Sequence, residues 1–313
     1  MRFRQLGNSG LQVSVAGLGC NNFGMRLDVE GTRKVVHAAL DHGITLFDTA
    51  DIYGNKGGSE TQLGEVLGPR RKDIVLATKF AMPMDEAGRM KGGSRRYIMS
   101  AVEASLKRLR TDWIDLYQMH RFDPETPIEE TMRALDDLVT AGKVRYVGCS
   151  NFSGWQVADA IWTARQTNTV RFVSAQDEYS LVVRDHEKEL IPALKHYGVG
   201  LLPYFPLACG LLTGKYRRNA PMPAGGRLTL TQRHQDRYMT DANWTVVERL
   251  EDFARTRGKG LVDIAIGWLA AKAPVASVIS GATSAEQIAA NVAAAQWVPS
   301  PEDIAEIDRL SAR

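Results

Sequence analysis

The run Ile114-Asp115-Leu116-Tyr117-Gln118-Met119-His120 is followed, after a segment of different rhythm, by Gly142-Lys143-Val144-Arg145-Tyr146-Val147-Gly148-Cys149-Ser150-Asn151. Both runs carry short, largely apolar cores rich in β-branched and aromatic residues, the pattern of buried strands. Between them Ile128, Met132, Leu135 and Leu138 recur at helical spacing and make one apolar stripe. Gly142 stands where a helix C-terminal glycine belongs. Strand, amphipathic helix, strand is a parallel crossover unit.

The same alternation extends in both directions. Further strands read at residues 15–18, 45–47, 74–77, 172–175, 199–202 and 275–279, and further helices at 31–41, 61–67, 95–109, 156–166, 187–196, 246–257 and 285–294. Eight such pairs over about 280 residues predict an α/β fold, a (β/α)8 barrel, for which about 250 residues are typical. Ahead of it, residues 3–5 and 11–13 flank Gly7-Asn8-Ser9-Gly10, a hairpin turn expected to plug the barrel floor. A doubly wound sheet alternates strands and helices in the same way, but its phosphate fingerprint is missing. In Gly17-Leu18-Gly19-Cys20-Asn21-Asn22-Phe23-Gly24 the third glycine comes too late. Two insertions, 81–93 and 207–242, each follow a strand and should cover the C-terminal mouth.

The 313 residues are read as one barrel domain, 1–313. With 44% hydrophobic and 24% charged residues, the chain is neither disordered nor fibrous. Lys plus Arg exceed Asp plus Glu by 39 − 36 = 3, without a basic block interleaved with aromatics, so nucleic acid is not an expected partner. Cys20, Cys149 and Cys209 form no metal or disulfide pattern, which suits a reducing cytoplasm. The start has no signal-like apolar core and no stretch reads as a membrane span. The expected state is a monomer or small homo-oligomer.

In a barrel, residues just past each strand share one pocket. Here they are Asp48, Lys79, His120, Ser150 with Asn151, Gln176 and Tyr204. Taken singly, each also has a bland reading: Asp48 as a helix cap, Lys79 as a surface lysine, His120 as a core histidine and Tyr53 as a packing aromatic. Together they fit one chemistry, reduction of a carbonyl. As hydride reaches carbon, the oxygen gains charge and needs a proton. A tyrosine can supply it; a lysine ammonium nearby favours its phenolate, and an aspartate keeps that lysine charged and fixed. A histidine can orient the carbonyl oxygen by a hydrogen bond. No metal is needed, and the six histidines include no His-x-His on a strand.

Phe47-Asp48-Thr49-Ala50-Asp51-Ile52-Tyr53-Gly54, Ala77-Thr78-Lys79 and Leu116-Tyr117-Gln118-Met119-His120 resemble the Asp, Tyr, Lys, His tetrad motifs of the aldo-keto reductases, and the segment from Gly142 to Phe152 is similar to a signature of that family. The resemblance implies NADPH extended across the barrel mouth, with Tyr53 as general acid assisted by Asp48, Lys79 and His120. It places Ser150, Asn151 and Gln176 on the nicotinamide amide and the Tyr204 ring on its face. Phe205, Pro206, Leu207, Ala208, Cys209 and Lys215 resemble the pyrophosphate loop, with Arg227 adding charge. Gly281, Thr283, Gln287 and Asn291 resemble the adenosine end, where a helix N-terminus favours an anion. Cys20, Asn21 and Arg26 complete the implied contacts.

Three departures from the family pattern stand out. Thr283-Ser284 offers only hydroxyls where relatives carry Lys or Arg for a 2′-phosphate, so NADP is the expected cofactor with NAD as the alternative. Asp177 replaces an asparagine, and Cys20-Asn21-Asn22-Phe23 lacks a tryptophan. The expected activity is NADP-dependent reduction of an aldehyde or ketone, reversible as alcohol oxidation. The alternative is a nucleotide-binding regulatory subunit resembling potassium-channel beta subunits; the hairpin beginning at residue 2 or 3, with no appended tract, favours the enzyme. Phe23, Met25, Phe80, Met82 and Met84 are expected to line the substrate pocket. Arg26, Arg89 and Arg121 read either as solvated loop arginines or as selectors of an acidic or phosphorylated substrate.

Overall fold

After an antiparallel hairpin, β1 (Phe3–Gln5) on β2 (Gln12–Ser14), the chain lays down eight parallel strands. They are β3 (Ala16–Gly19), β4 (Leu46–Asp48), β5 (Val75–Phe80), β6 (Ile114–Met119), β7 (Val144–Ser150), β8 (Phe172–Gln176), β9 (Gly200–Leu201) and β10 (Val278–Gly281). This is a computed structural model, and it describes residues 1–312. Sequential strands pair side by side from β3 to β9, and β10 pairs with β3. The remaining edges meet around Leu201, which bridges Val275 in parallel and whose N–H donates to Pro274 O at 3.0 Å. Ile279 N also donates to Pro203 O at 3.0 Å. The result is the (β/α)8 barrel, with the N-terminal hairpin, that the alternation predicts.

Two apolar clusters hold it together. The larger lies between the strands and the surrounding helices; the smaller fills the barrel's lower interior with Leu46, Ala77, Leu116, Leu202, Ala276 and Ile279. Leu6 and Val13 of the hairpin, both fully buried, belong to that inner cluster, so the hairpin does close the floor. Gly7 makes the close approach possible: at φ +58°, a Cβ there would stand 2.4 Å from Val173 O. Truncating a fully buried leucine such as Leu6 costs about 2–5 kcal/mol.

The helices follow the apolar stripes. Ile128–Thr140 buries Met132, Leu135 and Leu138 against the barrel, as read from the sequence. Others differ at their ends. The segment expected at 61–67 starts at Tyr53, through a left-handed turn at Gly54, Asn55, Lys56 and Gly57. The helix expected at 246–257 is Asp241–Thr256. Three helices escaped the periodicity: Gln232–Tyr238, Leu261–Ala271 and Pro301–Leu310. Leu261–Ala271 is buried over most of its surface, so it shows no polar face to set a period. The strand expected at 275–279 pairs as β10 three residues later. Among the described residues, no helix is long and apolar enough to cross a membrane.

Candidate active site

Because all eight strands run in parallel, their C-termini open on one face. Asp48 ends β4, Lys79 lies one residue from the end of β5, and Ser150 and Gln176 end β7 and β8. His120 follows β6, with its N–H on Phe80 O at 2.9 Å. Tyr53 opens the segment Tyr53–Leu67 after β4, where the left-handed turn beginning at Gly54 (φ +68°) folds the chain sharply back. A Cβ at Gly54 would meet Ser59 N at 2.5 Å, so only glycine fits behind the tyrosine.

The expected tetrad does assemble. Lys79 is fully buried and its Nζ donates to Asp48 Oδ1 (2.8 Å), Asp48 Oδ2 (2.7 Å) and Thr49 O (2.8 Å). Gln176 Nε2 and Gln118 Nε2 donate to Asp48 Oδ1 at 2.8 and 3.3 Å, so the carboxylate is held from three strands. The Lys79 ammonium lies 5.1 Å from the Tyr53 ring centre, and the His120 ring meets the Tyr53 ring edge-on at 5.6 Å.

Burial works against the Lys79 charge, but Asp48 and Tyr53 outweigh it, and the lysine titrates above its usual range. For Tyr53, burial is the largest influence and raises the phenol above its usual value; Lys79 pulls it down without reversing the balance. The lysine thus offsets desolvation instead of making the tyrosine a stronger acid than a free phenol. His120 is pushed down to about 3 by burial, then by the Lys79 and Arg121 charges, so its imidazole is neutral at ordinary pH. Its Nδ1 is buried and without a partner.

These side chains open onto a cavity of about 520 Å³ that runs along the strand ends toward the helix Ala285–Gln296. Asp48, Tyr53 and His120 are among the residues that line it. Of the other expected contacts, Cys20, Asn21, Arg26, Ser150, Asn151, Gln176, Tyr204, Phe205, Pro206, Leu207, Cys209, Lys215, Arg227, Gly281, Thr283, Gln287 and Asn291 all line it. Ala208 does not: its N–H turns back to Phe205 O at 2.8 Å and its methyl packs in the core. Lys79 lies behind Asp48 and Tyr53 instead of on the wall.

The expected substrate wall is corrected more heavily. Phe23 and Phe80 are fully buried in the core and Met25 points to solvent, leaving Met82 as the one residue of that set on the cavity. Arg89 lies away from it, whereas Arg26 and Arg121 line it. The sequence reading missed Asn22, whose Nδ2 donates to Ala282 O at 3.2 Å, and Val262, from the unforeseen helix. Asn22 could have been found as the neighbour of Asn21 on the same strand-end loop.

Around Ser150 and Asn151 the polar groups are ordered by one another. Ser150 Oγ donates to Gln176 O (2.8 Å), Asn151 Nδ2 to His120 O and Ser150 Oγ (3.0 Å each), and Tyr204 O–H to Asn151 Oδ1 (2.8 Å). Asn151 takes φ +57°, a conformation asparagine tolerates better than most residues. Gln176 spends its amide N–H on Asp48, so its Oε1 is free to accept. Along the cavity, Arg26, Lys215 and Arg227 make no ion pair among the described residues. Arg26 donates to Gly225 O (3.0 Å) and Arg227 stacks 4.7 Å from the Phe205 ring centre. Among the described residues, Asp48 is the only carboxylate on the cavity wall, and it is already matched by Lys79.

The profile of the Aldo/keto reductase family matches residues 16–312. The chain belongs to the aldo/keto reductase family. It is 37% identical over 310 residues to a probable voltage-gated potassium channel subunit beta of Arabidopsis thaliana, covering 96% of this chain and 92% of the relative. It is 37% identical over 299 residues to an uncharacterized oxidoreductase, YrpG, of Bacillus subtilis, covering 92% and 89%. A putative potassium channel subunit beta of Schizosaccharomyces pombe is 36% identical... over 327 residues, covering 98% and 92%. Membership of this aldo/keto reductase family supports oxidoreductase activity. The donor set suits a nicotinamide dinucleotide: a mutually ordered polar cluster of Ser150, Asn151 and Gln176, three cations without an ion pair among the described residues, and a helix N-terminus capped by Ser284.

Proposed function

We propose that this protein is an NADP-dependent carbonyl reductase in which Tyr53 is the general acid, and that the barrel is its single domain. The observation that carries the reading is the buried Asp48–Lys79 pair against the Tyr53 ring, with neutral His120 at its edge and a cation-lined cavity in front. Ser150, Asn151 and Gln176 would hold the nicotinamide amide, and Arg26, Lys215 and Arg227 the phosphates. Bound there, NADPH supplies hydride to the carbonyl carbon.

The chain's own residues then manage the proton. Tyr53 O–H gives its proton to the carbonyl oxygen as charge develops there. The Lys79 ammonium stabilises the phenolate left behind, and Asp48 fixes Lys79 in position and in charge. Neutral His120 donates a hydrogen bond to the same oxygen and sets its direction. Run backwards, the phenolate takes the proton of an alcohol. The three buried free thiols suit a reducing, cytoplasmic setting.

A regulatory-subunit reading is favoured by one observation, the potassium-channel names of two close relatives. Titration with NADPH and NADH, followed by absorbance decay against aldehydes, ketones and quinones, separates the two. The reductase reading expects NADPH binding and rapid oxidation by one carbonyl class. Tight binding without turnover across the panel supports the subunit, and no binding of either nucleotide refutes both.

A further inference from the structure

The reacting end of the cavity carries a cation that neither the acid site nor the dinucleotide contacts employ. Arg121 directly follows His120 and lines the cavity beside it, with Tyr53 and Met82. Its guanidinium is exposed and makes no hydrogen bond or ion pair among the described residues. Many exposed arginines of this chain are paired, such as Arg95 with Asp137 and Arg133 with Glu129. Its charge is felt at the site, since it helps keep His120 unprotonated.

The two other loop arginines are accounted for elsewhere. Arg89 lies off the cavity, and Arg26 donates to Gly225 O and is the like-charged neighbour of Lys215, whose pKa it helps lower, toward the phosphate positions. With Asp48 already neutralised by Lys79, no acidic group among the described residues of the wall offsets Arg121. A molecule lying against Tyr53 therefore meets an unpaired planar fork of N–H donors, a match for carboxylate or phosphate oxygens.

We propose that Arg121 is a specificity-determining residue that selects carbonyl substrates carrying an anionic group, a carboxylate or a phosphate, over neutral ones. The proposal rests on the carbonyl-reductase reading, and it names the substrate class of that same site. A neutral aldehyde can still pack on Met82 and reach Tyr53, but it forgoes the ion pair.

The test uses matched probes on the full chain: 4-carboxybenzaldehyde, its neutral amide 4-carbamoylbenzaldehyde, and 4-formylphenyl phosphate. Affinity is measured by calorimetry with and without NADP, and turnover with NADPH on the same three. In about 50 mM salt the better anion should bind about tenfold more tightly than the amide, the ratio worth about 1.4 kcal/mol. Which anion wins tells carboxylate from phosphate. The preference should vanish in Arg121→Gln, survive in part in Arg121→Lys, persist in Arg89→Gln and shrink with added salt. Equal affinity of amide and both anions, no measurable binding of either anion, or a preference that persists in Arg121→Gln overturns the proposal. Anion preference without turnover keeps the subsite and removes the reductase reading; turnover without preference does the reverse.

Discussion

Removing Lys79 exposes how tightly stability and chemistry are joined at this site. Lys79→Met deletes three charge-assisted bonds, at 2.7 and 2.8 Å to Asp48 and 2.8 Å to Thr49 O, from a fully buried position. Asp48 is then left with neutral amide donors from Gln176 and Gln118. Breaking a buried pair from one side costs about 3–5 kcal/mol, because an uncompensated charge stays behind. With an unfolding entropy of about 2.1 cal/mol/K per residue, that lowers Tm by roughly 5–8 °C in a chain of this size. The lone carboxylate should respond by binding a proton, so its folded pKa rises above the unfolded value. Its penalty is then smallest at acid pH and grows as pH rises. Asp48→Asn leaves the opposite defect, a buried ammonium. The double variant Asp48→Asn/Lys79→Met leaves neither charge and should be more stable than the sum of the single losses by at least about 2 kcal/mol. Urea unfolding of the four proteins at neutral pH reads this directly. Single variants within about 1 kcal/mol of the parent, or simple additivity, would refute the reasoning. Turnover should be low in all three variants, whatever their stability: where Lys79 is replaced Tyr53 loses its cationic neighbour, and where only Asp48 is replaced that ammonium loses the carboxylate that fixes its position and charge.

Three further outcomes follow from the same geometry. Since His120 titrates at about 3 and Tyr53 above the ordinary phenol range, kcat for reduction should show no inflection from either between about pH 5 and 9; it should fall only where Tyr53 loses its proton. A pH–rate profile with an acid limb near the ordinary histidine value would contradict this. Lys215→Ala should weaken dinucleotide binding, read by fluorescence titration, far more than kcat at saturating cofactor; a pure kcat effect would speak against its phosphate role. Asp177 is buried with Oδ2 unpaired, and burial raises its carboxyl to about 8. Between the unfolded carboxylate value and about 8, the folded protein holds a proton that the unfolded chain lacks, so stability falls with rising pH, by about 1.4 kcal/mol per unit from this group. Asp177→Asn should remove that slope and gain more in Tm at pH 9 than at pH 5. Asp51, raised to about 7 by burial and then by Glu60, contributes a slope of the same sign over a window that ends at that lower pH.

Much of this site is legible in the sequence because a parallel barrel turns linear order into one spatial ring. Each strand is short, so a polar residue at or just past its end marks the mouth, as Asp48, His120 and Gln176 do. The signal fails where burial erases polarity contrast. Leu261–Ala271, buried over most of its surface, hid both itself and Val262 on the cavity. It fails again where apolar residues near the mouth turn inward: Phe23 and Phe80 have the composition of a substrate wall, but pack in the core between strands and helices. Nor can spacing weigh desolvation against charge, which is why the Tyr53 phenol is raised despite Lys79.

The central claim is that Tyr53 delivers the proton in a site that binds the dinucleotide without it. Tyr53→Phe keeps the ring beside Lys79 and His120 and removes only the hydroxyl. Single-turnover reduction of a good substrate at saturating NADPH, with NADPH affinity measured on the same protein, is the direct test. The account predicts a loss of about 10²-fold or more in rate with affinity within a few-fold of the parent. An undiminished rate would contradict it.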